Sequence, residues 1–299
     1  MEDIIIRGLL ADSTVKIMAI SGKTLVEQAR ETHGLSRVCT AALGRTLMMT
    51  SMMGAQLKNA DERVTAMLKG GGEAGNIVCT ADWTGRVKGY VENPDLELPP
   101  APNGKLDVAL AVGWFGDLTV IRDMGLKEPY VGTCPIQSGE IAEDFARYFT
   151  VSEQQPSLVY LGVRVDAESG AVRAASGLLA QPLPGCPDEV IDALTEKAKE
   201  IETLTSTLER GTSLKDALMQ LFGGMGFAIT ANQHPEFRCD CSRERLERVL
   251  ISLGKAELSD MIAQEHGAEL TCHFCNKKYQ FHEDDLRRLL AEAKGNDNA

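Results

Sequence analysis

Arg238-Cys239-Asp240-Cys241-Ser242, followed after thirty residues by Cys272-His273-Phe274-Cys275, is the stretch from which the rest of the chain can be read. Two close cysteine pairs offer four thiolates, and a Cys₄ set fills a tetrahedron with no position to spare. That is the usual geometry of a structural zinc site, so one zinc per chain is expected on Cys239, Cys241, Cys272 and Cys275. The plain alternative is four unconnected core cysteines. Two tight pairs so near in sequence fit a metal site better. His273 and His282 are the nearest substitute ligands, but four sulfurs already complete the shell. The first pair is unusual in being C-x-C, where a zinc ribbon ordinarily has C-x-x-C.

Around the cysteines the chain offers little apolar material. Leu246, Val249, Leu250, Leu253, Leu258, Met261 and Ile262 form two short helical stripes about Gly254. Tyr279-Gln280-Phe281 reads as a strand and Asp284 to Ala293 as a last helix, with Gly295 to Ala299 frayed. So small a unit leans on its metal, because a structural zinc contributes about 10–16 kcal/mol of apparent binding free energy in small peptides. Two outcomes stay open. The site is either permanently structural or, if its sulfurs are accessible, an oxidisable one whose loss would unstaple the unit.

Upstream, Ile4 to Leu10 and Thr14 to Ile20 suggest a hairpin about Ala11-Asp12-Ser13. Thr24 to Thr32 reads as a helix stopped by Gly34, and Ser36 opens a longer one to about Leu57. Val64 to Leu68, Ile77 to Ala81 and Val87 to Val91 form a meander; Leu118 to Arg122 and Tyr130 to Ile136 are further strands. Ser138 is placed to cap a helix through Ile141, Phe145 and Phe149, and Leu158 to Val165 with Ala171 to Leu179 reads as a closing hairpin. Strands and helices without βαβ alternation make residues 1–180 an α+β domain with a mixed sheet.

A boundary follows at Gln181-Pro182-Leu183-Pro184-Gly185-Cys186-Pro187. Pro187 suits a first helical position, with Asp188 and Glu189 favourable at the positive end of the helix dipole. Val190, Ile191, Leu194, Ile201, Leu204 and Leu208 trace one narrow stripe on a helix that Gly211 stops. A second helix runs from Ser213 to Gly223-Gly224. Residues 181–232 are therefore expected to be a helical linker that covers something, and 233–299 a small zinc-binding domain.

Of the 299 residues 43% are apolar and 25% charged, ordinary for a globular protein. A formal net charge of −12 argues against an unspecific grip on nucleic acid or anionic membrane. No apolar run approaches bilayer length, and the acidic start is unlike a signal peptide. A cytoplasmic, reducing location is expected, with the eight cysteines as thiols or metal ligands.

The run Gly70-Gly71-Gly72-Glu73-Ala74-Gly75 contains G-x-G-x-x-G formally, but a strand follows where a dinucleotide site needs a helix, so it reads as a turn. No Walker A sequence, deaminase signature or assembled acid–base or nucleophile–base set is recognisable, so neither catalytic nor cofactor-binding residues are assigned and no enzyme is expected. Met48/Met52 and Met49/Met53 lie four apart on one helix face, either as core filling or as an adaptable binding surface. Cys39, Cys79 and Cys134 are expected in the core; Cys186 has no assigned role.

Cys239-Asp240-Cys241-Ser242-Arg243-Glu244-Arg245, Cys272-His273-Phe274-Cys275 and Tyr279-Gln280-Phe281 closely resemble the redox-regulated bacterial 33 kDa chaperonins, the heat shock protein 33 family. Ala41-Ala42-Leu43-Gly44-Arg45-Thr46, the triple glycine, Gly104 to Val108, and Ser138 to Phe145 continuing to Gln154 resemble that family's N-terminal domain. The resemblance spans nearly the whole chain. It implies an ATP-independent holdase, silent when reduced and zinc-bound. Oxidation would join Cys239 to Cys241 and Cys272 to Cys275, release zinc, unfold the small domain and linker, and yield a homodimer that binds unfolding client proteins. The competing reading is a zinc-ribbon module that recognises nucleic acid or a fixed partner while reduced, using Arg238, Arg243, Arg245 and Arg248; the interleaved acids favour a mixed solvated surface.

Overall fold

The computed structural model describes residues 2–295. They fall into two compact units divided between Arg238 and Cys239.

The first unit opens with the expected hairpin, β1 (Ile4–Leu10) and β2 (Val15–Ser21), turned by three residues with positive φ, Ala11, Asp12 and Ser13. Helix α1 (Lys23–His33) ends on Gly34, whose left-handed backbone donates to the Arg30 carbonyl. Helix α2 (Arg37–Gly54) begins where Ser36 Oγ accepts the Cys39 N–H at 3.2 Å. The meander β3 (Arg63–Lys69), β4 (Ile77–Asp82) and β5 (Val87–Val91) follows, then a short helix α3 (Val108–Val112), and strands β6 (Asp117–Asp123) and β7 (Tyr130–Pro135). Helix α4 (Ala142–Val151) leads to the hairpin β8 (Leu158–Val165) and β9 (Val172–Pro182). Helices α5 (Asp188–Glu196), α6 (Ala198–Ile201), α7 (Leu204–Glu209) and α8 (Leu214–Phe222) precede strand β10 (Ala228–Gln233).

These strands make two five-stranded antiparallel sheets, ordered β10-β1-β2-β9-β8 and β5-β4-β3-β6-β7. Helix α2 lies between them. Gly44 touches Val163 of β8, while Gly54 abuts Ala81 of β4, and Leu47 reaches Gly89 of β5. Sixteen of its eighteen residues are buried, which leaves only Arg37 and Arg45 to water. Met48, Met49, Met52 and Met53 are all fully enclosed, so they fill the core; Cys39, Cys79 and Cys134 are enclosed with them. The triple glycine serves backbone packing. A Cβ on Gly70 would stand 2.3 Å from the Val112 oxygen, and one on Gly72 2.3 Å from that of Ala111. Strand β4 follows, as a turn requires.

The start of α4 corrects one expectation. Ser138 does not cap it; its hydroxyl accepts from Glu140 N–H, and Asp144 accepts from Gln137 N–H and Ser138 N–H at 2.9 and 3.1 Å. Ile141 stands at the N-cap with φ 57° and ψ −55°, and Ala142 N–H returns to the Glu140 carbonyl. This tight γ-turn is costly for a β-branched residue, and full burial of the Ile141 side chain offsets the cost.

The stripe read as one helix to Gly211 is broken at Lys197 and at Glu202–Thr203 into three pieces, α5, α6 and α7. Hydroxyls near the second break compete for backbone carbonyls, Thr203 with Glu200 and Ser206 with Thr203, each at 2.7 Å. Pro187 sits at the N-cap, one position before the first helical residue. Strand β10 occupies the end of the stretch read as linker, crosses its boundary at 232/233 and pairs with β1. Leu194, Ile201, Leu204, Leu208, Leu218 and Phe222 form a separate apolar cluster with Ile6, Ile17, Ala19 and Leu178 on the outer face of the first sheet. Met18 and Ile20 of the same β2 belong to the core around α2. Amid the apolar cover, Thr205 Oγ1 lies 2.8 Å from the Tyr160 hydroxyl and 2.7 Å from that of Ser176, and Glu209 takes Arg164 and Arg173 at 2.6 and 2.7 Å.

The second unit contains α9 (Arg243–Leu253), α10 (Lys255–Asp260), a π-helical turn at Met261–Glu265, the hairpin β11 (Gly267–Thr271) and β12 (Lys278–His282), and α11 (Glu283–Gly295). Gly254 at φ 94° separates the first two helices. Leu250, Leu258, Ile262, Tyr279, Phe281, Leu286, Leu289 and Ala293 make its core. Val249 and Leu253 of the expected stripe are instead 48% and 47% exposed, because the break at Gly254 narrows the buried face. Of the frayed end expected at Gly295 to Ala299, Gly295 instead closes α11, and residues 296–299 lie outside the described residues. Among the described residues no helix is long and apolar enough to cross a membrane.

Candidate metal centre

One cysteine pair leads into a helix and the other lies in a hairpin turn. Cys239 and Cys241 immediately precede α9, whose N-cap Ser242 accepts the Arg245 N–H. Cys272 and Cys275 occupy the turn between β11 and β12. There Asn276 N–H donates to the Cys272 carbonyl at 2.8 Å, Cys272 N–H to that of Lys277 at 3.0 Å, and Asn276 takes φ 56°. That turn places Cys272 and Cys275 together at the tip of the β11–β12 hairpin.

The four Sγ atoms lie within 4.8 Å of one another and could hold a metal ion. Cys239 faces Cys272 at 3.7 Å and Cys241 faces Cys275 at 3.4 Å, all four as free thiols. An ion about 2.3 Å from each of four sulfurs sets tetrahedral edges of about 3.8 Å, so these separations suit such an ion. They are far beyond the roughly 2.05 Å of a disulfide. Neither His273 nor His282 joins the cluster.

Charge explains why a cation belongs here. Burial pushes the Cys239 thiol far up and the Cys275 thiol up to about 11. Burial also opposes ionisation of Cys241, but hydrogen bonds from the Tyr279 hydroxyl and the neighbouring thiols outweigh it and lower that pKa. One sulfur carries the first negative charge and raises the cost of the next. Two positive charges at the centre would let all four ionise together.

The family model described as Hsp33 protein matches residues 3–282. The chain belongs to the Hsp33 family. The 33 kDa chaperonin of Alkaliphilus metalliredigens (strain QYMF) is 44% identical over 292 residues, 98% of this chain and 100% of that protein. That of Clostridium perfringens (strain ATCC 13124) is 44% identical over 293 residues, covering 98% and 92%. The crystal structure of the 33 kDa chaperonin (heat shock protein 33 homolog) from Thermotoga maritima superposes with a TM-score of 0.89 at 35% identity, over 99% of this chain and 100% of that one.

Two residues around the sulfurs of this Hsp33 family member were not read as part of the site from sequence. Tyr279, four positions after Cys275 on β12, places its hydroxyl 3.2 Å from both Sγ and the carbonyl oxygen of Cys241. Arg243 donates to the Gln280 carbonyl and to Asp285, both at 2.8 Å, and lies 4.3 Å over the Phe281 ring. It thereby ties the helix after the first pair to the strand after the second. The signal for Tyr279 was its position on a strand leaving the cysteine turn. Arg243 gave none beyond its charge.

Proposed function

We propose that this chain is a redox-switched, ATP-independent holdase of the bacterial cytoplasm, held inactive by one zinc ion on Cys239, Cys241, Cys272 and Cys275. The observation that carries the reading is the convergence of four half-buried sulfurs in a unit of 61 residues with a small core. Sulfurs so placed are reachable by oxidant, and a unit so small loses its main staple with them. Zinc, when bound, supplies the two positive charges that keep four thiolates together.

The chain's own chemistry is two-electron oxidation of each pair. One peroxide molecule takes two electrons from the Cys239 and Cys241 thiolates, an S–S bond forms, the O–O bond breaks, and two protons from solvent complete two waters; Cys272 and Cys275 consume a second peroxide in the same way. The ligands are then gone, the second unit loses its order, and the linker helices follow. Those helices are of 4 to 9 residues, too short to persist without packing. The opened chain dimerises and holds unfolding clients on newly bared apolar surface.

Zinc release into a chromogenic chelator, followed alongside light scattering from a heat-aggregating client, tests this. Peroxide-treated protein should lose its zinc and suppress scattering. Retained zinc, or lost zinc without suppression, would overturn the switch. Salt-dependent nucleic-acid binding by the reduced protein would favour a zinc-ribbon module instead. Arg238, Arg243 and Arg245 are already paired with Glu236, Asp285 and Asp240.

A further inference from the structure

The two residues of α2 left to water both open into one cleft of about 670 Å³. Its walls come from α2, the loop before α3, strand β8, the linker helix α7 and the break that precedes it. Four cations line it, Arg37, Arg45, Lys105 and Arg164, against the single carboxylate of Glu202, in a chain of net charge −12. Two of the four are already neutralised, Arg45 by Glu140 at 2.8 Å and Arg164 by Glu209 at 2.6 Å. Arg37 is held only by the Ala167 carbonyl, at 3.3 Å, and no ion pair engages Lys105 among the described residues. The Nε of Arg45 is buried without a hydrogen-bond partner. Unmatched positive charge and an unsatisfied guanidinium nitrogen favour an oxyanion. Leu98, Pro100, Leu106 and Val163 give the same cleft an apolar wall. A neighbouring space of about 440 Å³ shares Arg45 and Lys105 but adds Glu140 and Glu143, so the anionic end belongs toward Arg37.

We propose that this cleft is a binding site for an organic phosphate with an apolar body. Its size suits a small molecule, the cations take the phosphate and the aliphatic wall takes the body. Glu202, Thr205 and Ser206 supply part of the wall, so the complete site exists only while the linker helices are docked. A ligand that binds only the docked form stabilises it, by mass action. Under the holdase reading above, on which this last consequence alone rests, occupancy would raise the oxidation needed for activation.

Calorimetric titration of the reduced, zinc-loaded protein with 1-naphthyl phosphate, inorganic phosphate and 1-naphthol tests the site without reference to chaperone activity. Naphthyl phosphate should bind more tightly than either part. Arg37→Ala and Lys105→Ala should each weaken it about tenfold, and Glu202→Gln should tighten it by removing a repulsion. Hydrogen exchange over residues 198–210 should slow on binding. Absence of binding, or equal affinity in the wild type and all three variants, would overturn the site and leave the redox switch untouched. Binding without slower exchange would overturn the coupling to the linker.

Discussion

Thr205 of α7 and Tyr160 of β8 share a hydrogen bond of 2.8 Å across an otherwise apolar contact, with Thr205 only 3% exposed. Ser176 joins from β9 at 2.7 Å, fully buried, while the Tyr160 hydroxyl also donates to the Glu202 carbonyl at 3.1 Å at the partly exposed end of the group. Such a group has value mainly in place, because each member left alone is a desolvated polar atom.

Thr205→Val should therefore loosen the linker helices by about 1–3 kcal/mol, since the Ser176 hydroxyl would lose this partner. Thr205→Ser keeps the hydroxyl and should stay near wild type. Hydrogen exchange across residues 198–222 is the measurement, and equal protection in both variants would remove Thr205 from any role in docking.

Under the zinc reading, replacing one of the four clustered cysteines should unstaple the second unit. Cys272→Ser is expected to bind less than one zinc per chain and to be cleaved rapidly by protease within residues 239–295. The unit's own core is too small to offset the loss of about 10–16 kcal/mol of metal binding. A variant that resists protease as well as the parent would show that the apolar core suffices.

Metal binding should depend on pH with a definite sign. Cys239 and Cys275 are held above the ordinary thiol range, so both bring protons that must leave when a cation enters. Affinity should rise with pH, and protons should be released as the ion enters, Cys241 contributing less than Cys239 or Cys275. Calorimetry in buffers of different ionisation enthalpy counts the protons.

Arg243→Ala should lower the stability of the second unit by about 1–2 kcal/mol, a figure already reduced for the partial exposure of this side chain. Arg243→Lys should recover little, because one ammonium cannot reach the Gln280 carbonyl, Asp285 and the Phe281 face together. Full rescue by lysine would mean that charge alone matters.

Under the zinc reading, Tyr279→Phe should change the oxidation rate of the four cysteines while leaving zinc stoichiometry at one, since the hydroxyl touches the Cys241 sulfur and lies outside the four-sulfur cluster. Stopped-flow thiol loss under peroxide reads the rate. No change would reduce the hydroxyl to a support of the Cys241 backbone.

Strong local rules made much of the fold legible. Gly34 and Ser36 mark helix ends through backbone chemistry that needs no tertiary partner, and the hairpin and meander strands follow from period-two patterning. The four ligand candidates were legible because two close sulfur pairs in a reduced chain have few roles besides holding a metal. What escaped reading depends on distant contacts. Ile141 adopts its γ-turn only because its side chain has a core to enter, and the linker stripe breaks at Glu202–Thr203, just before Thr205 meets Tyr160 and Ser176. Strand β10, AITANQ, has no apolar alternation to announce it and forms because β1 offers an open edge. Arg243 carries the same charge as Arg245 and Arg248, and only the fold distinguishes it.

Strand β2 sends Met18 and Ile20 to one apolar cluster and Ile17 and Ala19 to another. A sheet written in this way has no side intended for water. Lifting the helices from its outer face would leave the core around α2 intact and create a flat, greasy wall beside a folded body. Such a wall is unstable in solution until something covers it. Undocking is thus less a release of strain than the creation of a vacancy, and the next apolar chain to arrive would find the place already shaped by β-strand spacing.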